Sequence, residues 1–261
     1  MTTLSKADLD ELKRAKAMLE NPGLAAKLSS ILGSPLEKGL KMLPAAVQNG
    51  VNKATEVALM KALDAAVRTL GESQSTNSRN RMHQLVAAAT GAAGGAFGIG
   101  ALAIELPIST AVILRSIAAI AAAEGENPRH LETKLDCLQV FAFGSQKTAK
   151  DNATESGYFA TRAAMAKAVS EAATYLAKKG LTKASAPALV RLVALIGSRF
   201  GIVVSQKAAA QMIPILGAAG GATINALFIE HYQQMAMGHF VVRRLEKIHG
   251  AEPVRLAYEK L

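Results

Sequence analysis

Apolar residues recur at helical spacing along almost the whole chain. In the first twenty residues one face of a predicted helix, which Ser5 can cap, carries Leu9, Leu12, Ala15 and Leu19. From about residue 44 to residue 70 a longer stripe carries Val47, Val51, Ala58, Leu59, Leu63 and Leu70. Few stretches alternate with a period of two, so the pattern predicts an all-α protein.

Breaker residues divide this pattern into further helices. Pro107 predicts the start of an apolar helix that ends at Gly125, and Asn127 with Pro128 predicts the start of the next, which ends at Gly144. Polar loops are predicted at 71–80 and 144–157. After the second loop, one helix is predicted to end at Lys179, one to run through Phe200, and one to end near Gly250.

The whole pattern predicts a single-domain bundle of about nine or ten helices. The amphipathic helices of residues 1–81 are expected to pack on a core formed by residues 82–261, and the chain length of 261 residues suits one continuous domain.

The motif GAAGGA occurs twice, at 91–96 and 217–222, inside uncharged segments 85–104 and 208–229. No Lys follows the glycines, so neither copy is a phosphate loop. Glycines four residues apart share a helical face and allow helices to approach closely. This role is predicted for Gly91, Gly94, Gly95, Gly98, Gly217, Gly220 and Gly221.

Two questions about these segments stay open at the sequence level. Both are long enough to cross a bilayer, but their Ala and Gly content makes them weakly hydrophobic, so whether they insert is undecided. Each is followed by a similar word, ALAIE at 101–105 and ALFIE at 226–230. An internal pseudo-repeat or a shared packing solution explains this likeness equally well.

The chain carries a net charge of +10, concentrated in residues 151–207, where eight Lys and Arg face three acids. With 4% aromatic residues and no Trp, the composition does not favour nucleic acid, so an anionic membrane surface or lipid is the expected partner. The basic residues expected to face it are Arg162, Lys167, Lys178 and Lys179. A single cysteine, Cys137, and an N-terminus unlike a signal peptide predict a cytoplasmic protein.

Polar residues within apolar sequence form the candidate ligand-binding or buried polar cluster: Glu105, Arg115, Asn225, Glu230 and His231. Because an unpaired buried charge is costly, Arg115 is predicted to pair with Glu105 or Glu230. The set could bind a ligand headgroup, perform acid–base chemistry, or form an ion pair that sets helix register. No metal-ligand spacing or cofactor motif occurs, so no metal, cofactor or catalytic residue is predicted.

Three runs give the chain a family resemblance. TGAAGGAFGIGALAIELPISTAVILRSIAAIAAAEGENP (90–128), LDCLQVFAFGS (135–145) and IPILGAAGGATINALFIEHYQQMAMGHFVVRRLEKIHG (213–250) resemble the EcsC protein family. The family usually has Asp-Leu-Pro where this chain has Glu105-Leu106-Pro107. The resemblance implies a bacterial, intracellular helical protein associated with membrane processes. The family is named for a protein encoded beside an ABC transporter, and the resemblance supplies no catalytic residues.

The expected function is therefore that of a non-enzymatic, membrane-associated or lipid-binding protein linked to membrane transport, peripheral to the inner face of the membrane. Two alternatives are a transporter accessory or scaffold protein without a ligand, and a hydrolase that uses a buried acid/Arg/His cluster. A lipid carrier predicts a continuous apolar cavity between the two Gly-rich helices, whereas an enzyme predicts polar groups that converge with perturbed pKa values.

Overall fold

The computed structural model describes residues 4–20, 24, 27, 28, 30, 44–69, 98–145, 157–180, 186–211 and 217–261. These ranges contain a short 3-10 turn, Val140–Ala142, and no strand, which confirms the all-α prediction. The eight helices are α1 Lys6–Glu20, α2 Ala45–Thr69, α3 Gly98–Ala123, α4 Leu131–Gln139, α5 Gly157–Lys179, α6 Pro187–Gln211, α7 Gly217–His249 and α8 Ala251–Lys260. A count of nine or ten helices and a pseudo-repeat remain predictions.

The N-terminus of α1 is capped by Ser5, as the sequence predicts. Ser5 Oγ accepts a hydrogen bond from the Asp8 backbone N–H at 3.2 Å, and Asp8 Oδ2 accepts one from the Ser5 N–H at 3.0 Å. This reciprocal arrangement satisfies two backbone donors that a helix start leaves unpaired. The predicted apolar face is the buried one, with Leu12, Ala15 and Leu19 in the core.

The predicted helix start at Pro107 is wrong, because Pro107 lies well inside α3. A proline removes one backbone hydrogen bond, but α3 packs against α2 and α7 through buried residues on both sides of it, including Leu106 and Ile113. That burial keeps the chain helical around Pro107 although one backbone hydrogen bond is missing. The predicted stop is confirmed: Gly125 has φ +84°, and the Glu126 N–H donates to the Ala121 carbonyl at 2.9 Å.

Two further predicted boundaries are shifted in the structure. Asn127 does not cap α4; its Oδ1 accepts a hydrogen bond from the Arg129 N–H at 3.0 Å and forms a turn, and α4 begins at Leu131. The helix through Phe200 continues to Gln211, because its apolar face stays buried beyond Phe200.

The longest helix, α7, organises the bundle. It runs parallel to α3. Gln233 donates a hydrogen bond to Ser116, and eleven residues later Arg244 donates one to Glu124, which directly follows α3. α1 runs antiparallel to α7 and α8 folds back onto α1, where Tyr258 accepts a hydrogen bond from Lys16 through its carbonyl oxygen. α2 packs against both α3 and α6. The N-terminal helices therefore share one core with the rest of the chain.

The predicted close-packing glycines are only partly described. Gly91, Gly94 and Gly95 lie outside the described residues, and Gly98, Gly217, Gly220 and Gly221 lie at helix starts, so their packing role stays a prediction. A close approach is seen instead at Gly238 of α7. A Cβ there would lie 2.7 Å from Leu19 Cγ and 3.0 Å from the Ala15 carbonyl oxygen, so only glycine allows α1 this close.

Candidate functional site

A groove of about 660 Å³ lies between α2 and α6. Its apolar walls comprise Met60, Val190, Val193 and Ala194. Its polar positions comprise Asn52, Thr55, Glu56 and Ser198. Val190, which lines the groove, is 41% exposed, so the apolar wall reaches the surface.

Small residues of α6 produce this groove. At Gly197 a Cβ would lie 3.5 Å from Leu59 Cδ1, and at Gly201 it would lie 3.7 Å from Asn52 Oδ1, so the two helices approach closely and run antiparallel. Thr55, 2% exposed, lines the same groove, and its Oγ1 has no hydrogen-bond partner. A buried hydroxyl without a partner is costly.

A buried ion pair fills the space where α3, α6 and α7 meet. Lys207 Nζ lies 2.6 Å from Glu105 Oε1, and the Lys207 and Glu105 side chains are 0% and 5% exposed. The Lys207 ammonium also lies 4.6 Å from the centroid of the Phe228 ring, and Gln211 Nε2 lies 3.5 Å from Glu105 Oε2. Burial lowers the pKa of Lys207, and the Glu105 carboxylate opposes that shift.

This pair bears on the predicted cavity between the Gly-rich segments. At the level of Glu105 the space is occupied by the pair and by Phe228, which counts against an open channel at that level. Residues 85–97 and 212–216 of those segments lie outside the described part of the chain.

The predicted pairing of Arg115 is wrong. Glu105 pairs with Lys207, and Glu230 pairs with Lys27 at 3.1 Å, while Arg115 is exposed on α3. Within the described residues no ion pair joins Arg115 to either acid. The physical reason is orientation: Arg115 lies on the outer face of α3, where water already solvates its charge.

The two remaining members of the predicted cluster are buried separately. Asn225 and His231 are 5% and 2% exposed, and Asn225 Oδ1 and His231 Nε2 lack hydrogen-bond partners. Burial, with a smaller contribution from the Lys27 charge, lowers the pKa of His231 to about 4. In the described part of the chain, no hydrogen bond or ion pair links any two of the five predicted residues.

The predicted membrane-facing basic residues fall into two groups. Lys167, Lys178 and Lys179 are exposed on α5. Arg162 is partly buried, and its guanidinium donates to both carboxylate oxygens of Glu246 at 2.7 and 3.0 Å, so its contact with a membrane stays a prediction. It is held inside the bundle by that bidentate pair.

The sequence did not predict a polar cluster that lies near the C-terminal end of α7. The Tyr158 hydroxyl lies 2.8 Å from His239 Nδ1, and Arg243 lies 2.9 Å from Asp136 and 3.4 Å from Glu126. The geometry between Arg243 and Asp136 suits an ion pair better than a hydrogen bond, since Asp136 Oδ2 has no hydrogen-bond partner.

The cluster perturbs its titratable groups. Burial raises the pKa of Asp136 to about 6, although the Arg243 charge opposes the shift, and burial lowers the pKa of His239 well below its usual range. These residues come from α4, α5, α7 and the turn before α4, and no spacing in the sequence signals that they meet. Chemically the cluster holds an acid and a neutral imidazole, but most of its charges are paired with one another.

Metal binding and cysteine chemistry find no support in the described ranges. No group of three or more His, Cys, Asp or Glu side chains there could hold a metal ion. Cys137 is buried, and burial raises the pKa of its thiol, which disfavours the reactive thiolate.

Two helical stretches are long and apolar enough to cross a membrane by length and composition, Ile104–Ala123 and Pro187–Gln211. They differ from the predicted segments 85–104 and 208–229. About half of each is buried in the bundle, as in core helices of soluble proteins, so this is weak evidence for insertion. On the outer face of α3, Ile104 is 71% exposed and Ile108 lies one turn further along.

Comparison with known proteins gives one positive result. A family model described as the EcsC protein family matches residues 6–245, which includes α1 and α2 and most of α7. The match therefore begins earlier than the runs that carry the resemblance in the sequence. No curated protein and no solved structure matches the chain.

Proposed function

The chain belongs to the EcsC protein family, and from this premise we propose that it is a non-enzymatic, membrane-associated protein that binds lipid and acts in membrane transport. The observation that carries the proposal is the groove between α2 and α6. Its volume lies in the range of small-molecule sites, roughly 300–1,000 Å³. Its apolar walls suit an aliphatic chain, and its polar positions suit the polar end of the same molecule.

Two surface features support a position at the membrane on the cytoplasmic side. Lys178 and Lys179 end α5 and are exposed, and each basic residue near an anionic surface contributes about 1 kcal/mol of attraction. The exposed Ile104 and Ile108 of α3 provide apolar surface that could enter the headgroup region. Peripheral binding needs no helix to leave the bundle.

The alternatives draw less support from the geometry. A hydrolase needs convergent groups that are free to act on a substrate, whereas Arg162 is paired with Glu246 and Arg243 with Asp136 and Glu126. A scaffold without a ligand does not require a groove of about 660 Å³ with apolar walls.

Filling the groove is expected to abolish lipid-tail binding. Ala194→Phe places a ring between the apolar walls, and we expect the affinity for the fluorescent fatty acid dansyl-undecanoic acid to fall at least about tenfold, equal to about 1.4 kcal/mol. Fluorescence titration of the full chain measures this. The matched control is Ala166→Phe, which adds the same ring at an exposed position of α5. Equal affinity for both variants and the wild type would refute the groove as the lipid site.

Reversing the basic end of α5 is expected to weaken binding to anionic vesicles. For the double variant Lys178→Glu/Lys179→Glu, cosedimentation at low salt should show at least about tenfold weaker binding, and high salt should remove the binding of the wild type. The control is Lys53→Glu/Lys61→Glu on α2, which changes the net charge equally at exposed positions. If both double variants lose the same affinity, only net charge matters and α5 is not the contact.

A further inference from the structure

A second pocket, with a volume of about 480 Å³, lies between α1 and α7. Its described lining residues all differ from those of the groove between α2 and α6. α1 contributes Arg14 and Met18, the segment before α2 contributes Lys27, and α7 contributes His231 and Met235.

The charged side chains among the described lining residues of this pocket are two cations, Arg14 and Lys27. Lys27 Nζ is held by Glu230 Oε1 and by Gln234 Oε1, both at 3.1 Å. An ammonium has three N–H donors, so one donor of Lys27 remains for a ligand.

The third polar group is His231. Its ring is among the lining residues of the pocket, while its Nε2, which has no hydrogen-bond partner, lies against Gly144, where a Cβ would be 2.7 Å away. With a pKa of about 4, the imidazole is neutral at pH 7 and can donate or accept a hydrogen bond without adding charge. Met18 and Met235 give the pocket an apolar wall beside these polar groups.

We propose that this pocket binds a phosphate monoester, with Arg14 and Lys27 as the charged contacts and His231 as the neutral one. A phosphate monoester carries about −1.5 to −2 charges at pH 7 and is attracted to both cations, although Glu230 offsets part of the Lys27 charge. The apolar wall suits an ester group that bears an aliphatic portion. The headgroup of phosphatidic acid is such a monoester, and free phosphate presents the same charged oxygens. The inference rests on the proposed lipid function only for the source of the phosphate.

Calorimetric titration of the full chain with two probes tests the site. The probes are inorganic phosphate and the soluble lipid dihexanoyl phosphatidic acid. Arg14→Gln and Lys27→Gln should each weaken binding at least about tenfold, since each removes a charge-assisted contact. Glu230→Gln should strengthen binding, because it releases Lys27 from its acidic partner. The control Lys13→Gln makes the same charge change at the neighbouring exposed position of α1 and should leave the affinity within about twofold.

The outcomes separate the source of the phosphate and the two proposals. Tighter binding of the lipid probe supports a lipid headgroup, and equal binding of both probes supports free phosphate. Failure of both probes to bind the wild type, or equal losses in Lys13→Gln and Lys27→Gln, would overturn the site. Dansyl-undecanoic acid and vesicle binding by the same wild-type sample report on the proposed lipid function independently, so either proposal can fail alone.

Discussion

Lys207→Met alone is expected to lower the free energy of unfolding by about 3–5 kcal/mol, because it leaves the Glu105 carboxylate buried without its charge partner. Gln211, at 3.5 Å, is a weak substitute donor. Urea denaturation followed by circular dichroism measures the loss. An unchanged slope of the unfolding free energy against urea concentration would show that the variant folds to the same compact state.

The matched control replaces both charges. Glu105→Leu/Lys207→Met removes the whole pair in favour of apolar side chains of similar size, and it is expected to lie within about 1–2 kcal/mol of the wild type or above it. The contrast between the single and double variants isolates the cost of an unpaired charge. If Lys207→Met costs less than about 1 kcal/mol, water reaches the site and the pair is not buried as the structure shows.

Asp136→Asn is expected to change the pH dependence of stability. The pKa of Asp136 is about 6 in the folded chain, above the ordinary value of 3.8 for this carboxyl group, so the folded state binds this proton more tightly than the unfolded state. The stabilisation that this proton contributes to the folded state is therefore present below about pH 4 and is lost as the pH rises through about 6. The shift corresponds to about 3 kcal/mol.

The variant has no carboxyl group to ionise at this position. Relative to the wild type, Asp136→Asn should thus gain about 3 kcal/mol between pH 4 and pH 7, and Arg243 keeps Glu126 as a partner. Urea denaturation of both proteins at the two pH values measures the difference, with the pH 4 pair as the internal reference. A constant difference at both pH values would show that Asp136 titrates normally.

Local signals in the sequence predicted local structure well. The Ser5 cap, the stop at Gly125 and the end of α5 at Lys179 are all observed. Each depends on residues within about four positions along the chain, where helical geometry sets the distances. Pro107 is one exception, because the burial of the surrounding helix outweighs the hydrogen bond that the proline removes, and Asn127 is another, because it forms a turn before α4.

The candidate sites were much less predictable. The sequence pointed to His231 as a polar residue of interest, but the two cations beside it, Arg14 and Lys27, lie on distant segments. The groove between α2 and α6 had no signal, since small residues such as Gly197 and Ala194 are common in Ala-rich helices. The sequence of an Ala-rich helix therefore does not show which of its faces packs against a neighbouring helix.

The apolar periodicity and the breaker residues were enough to establish a helical protein with most of its helices, and the three resembling runs were enough to identify its family. Only the tertiary structure shows that Lys207, and not Arg115, is the partner of Glu105, and that Arg162 pairs with Glu246. Both pairs join residues about a hundred positions apart. Their cause is the relative orientation of helices, which depends on the packing of every side chain between them rather than on any local spacing.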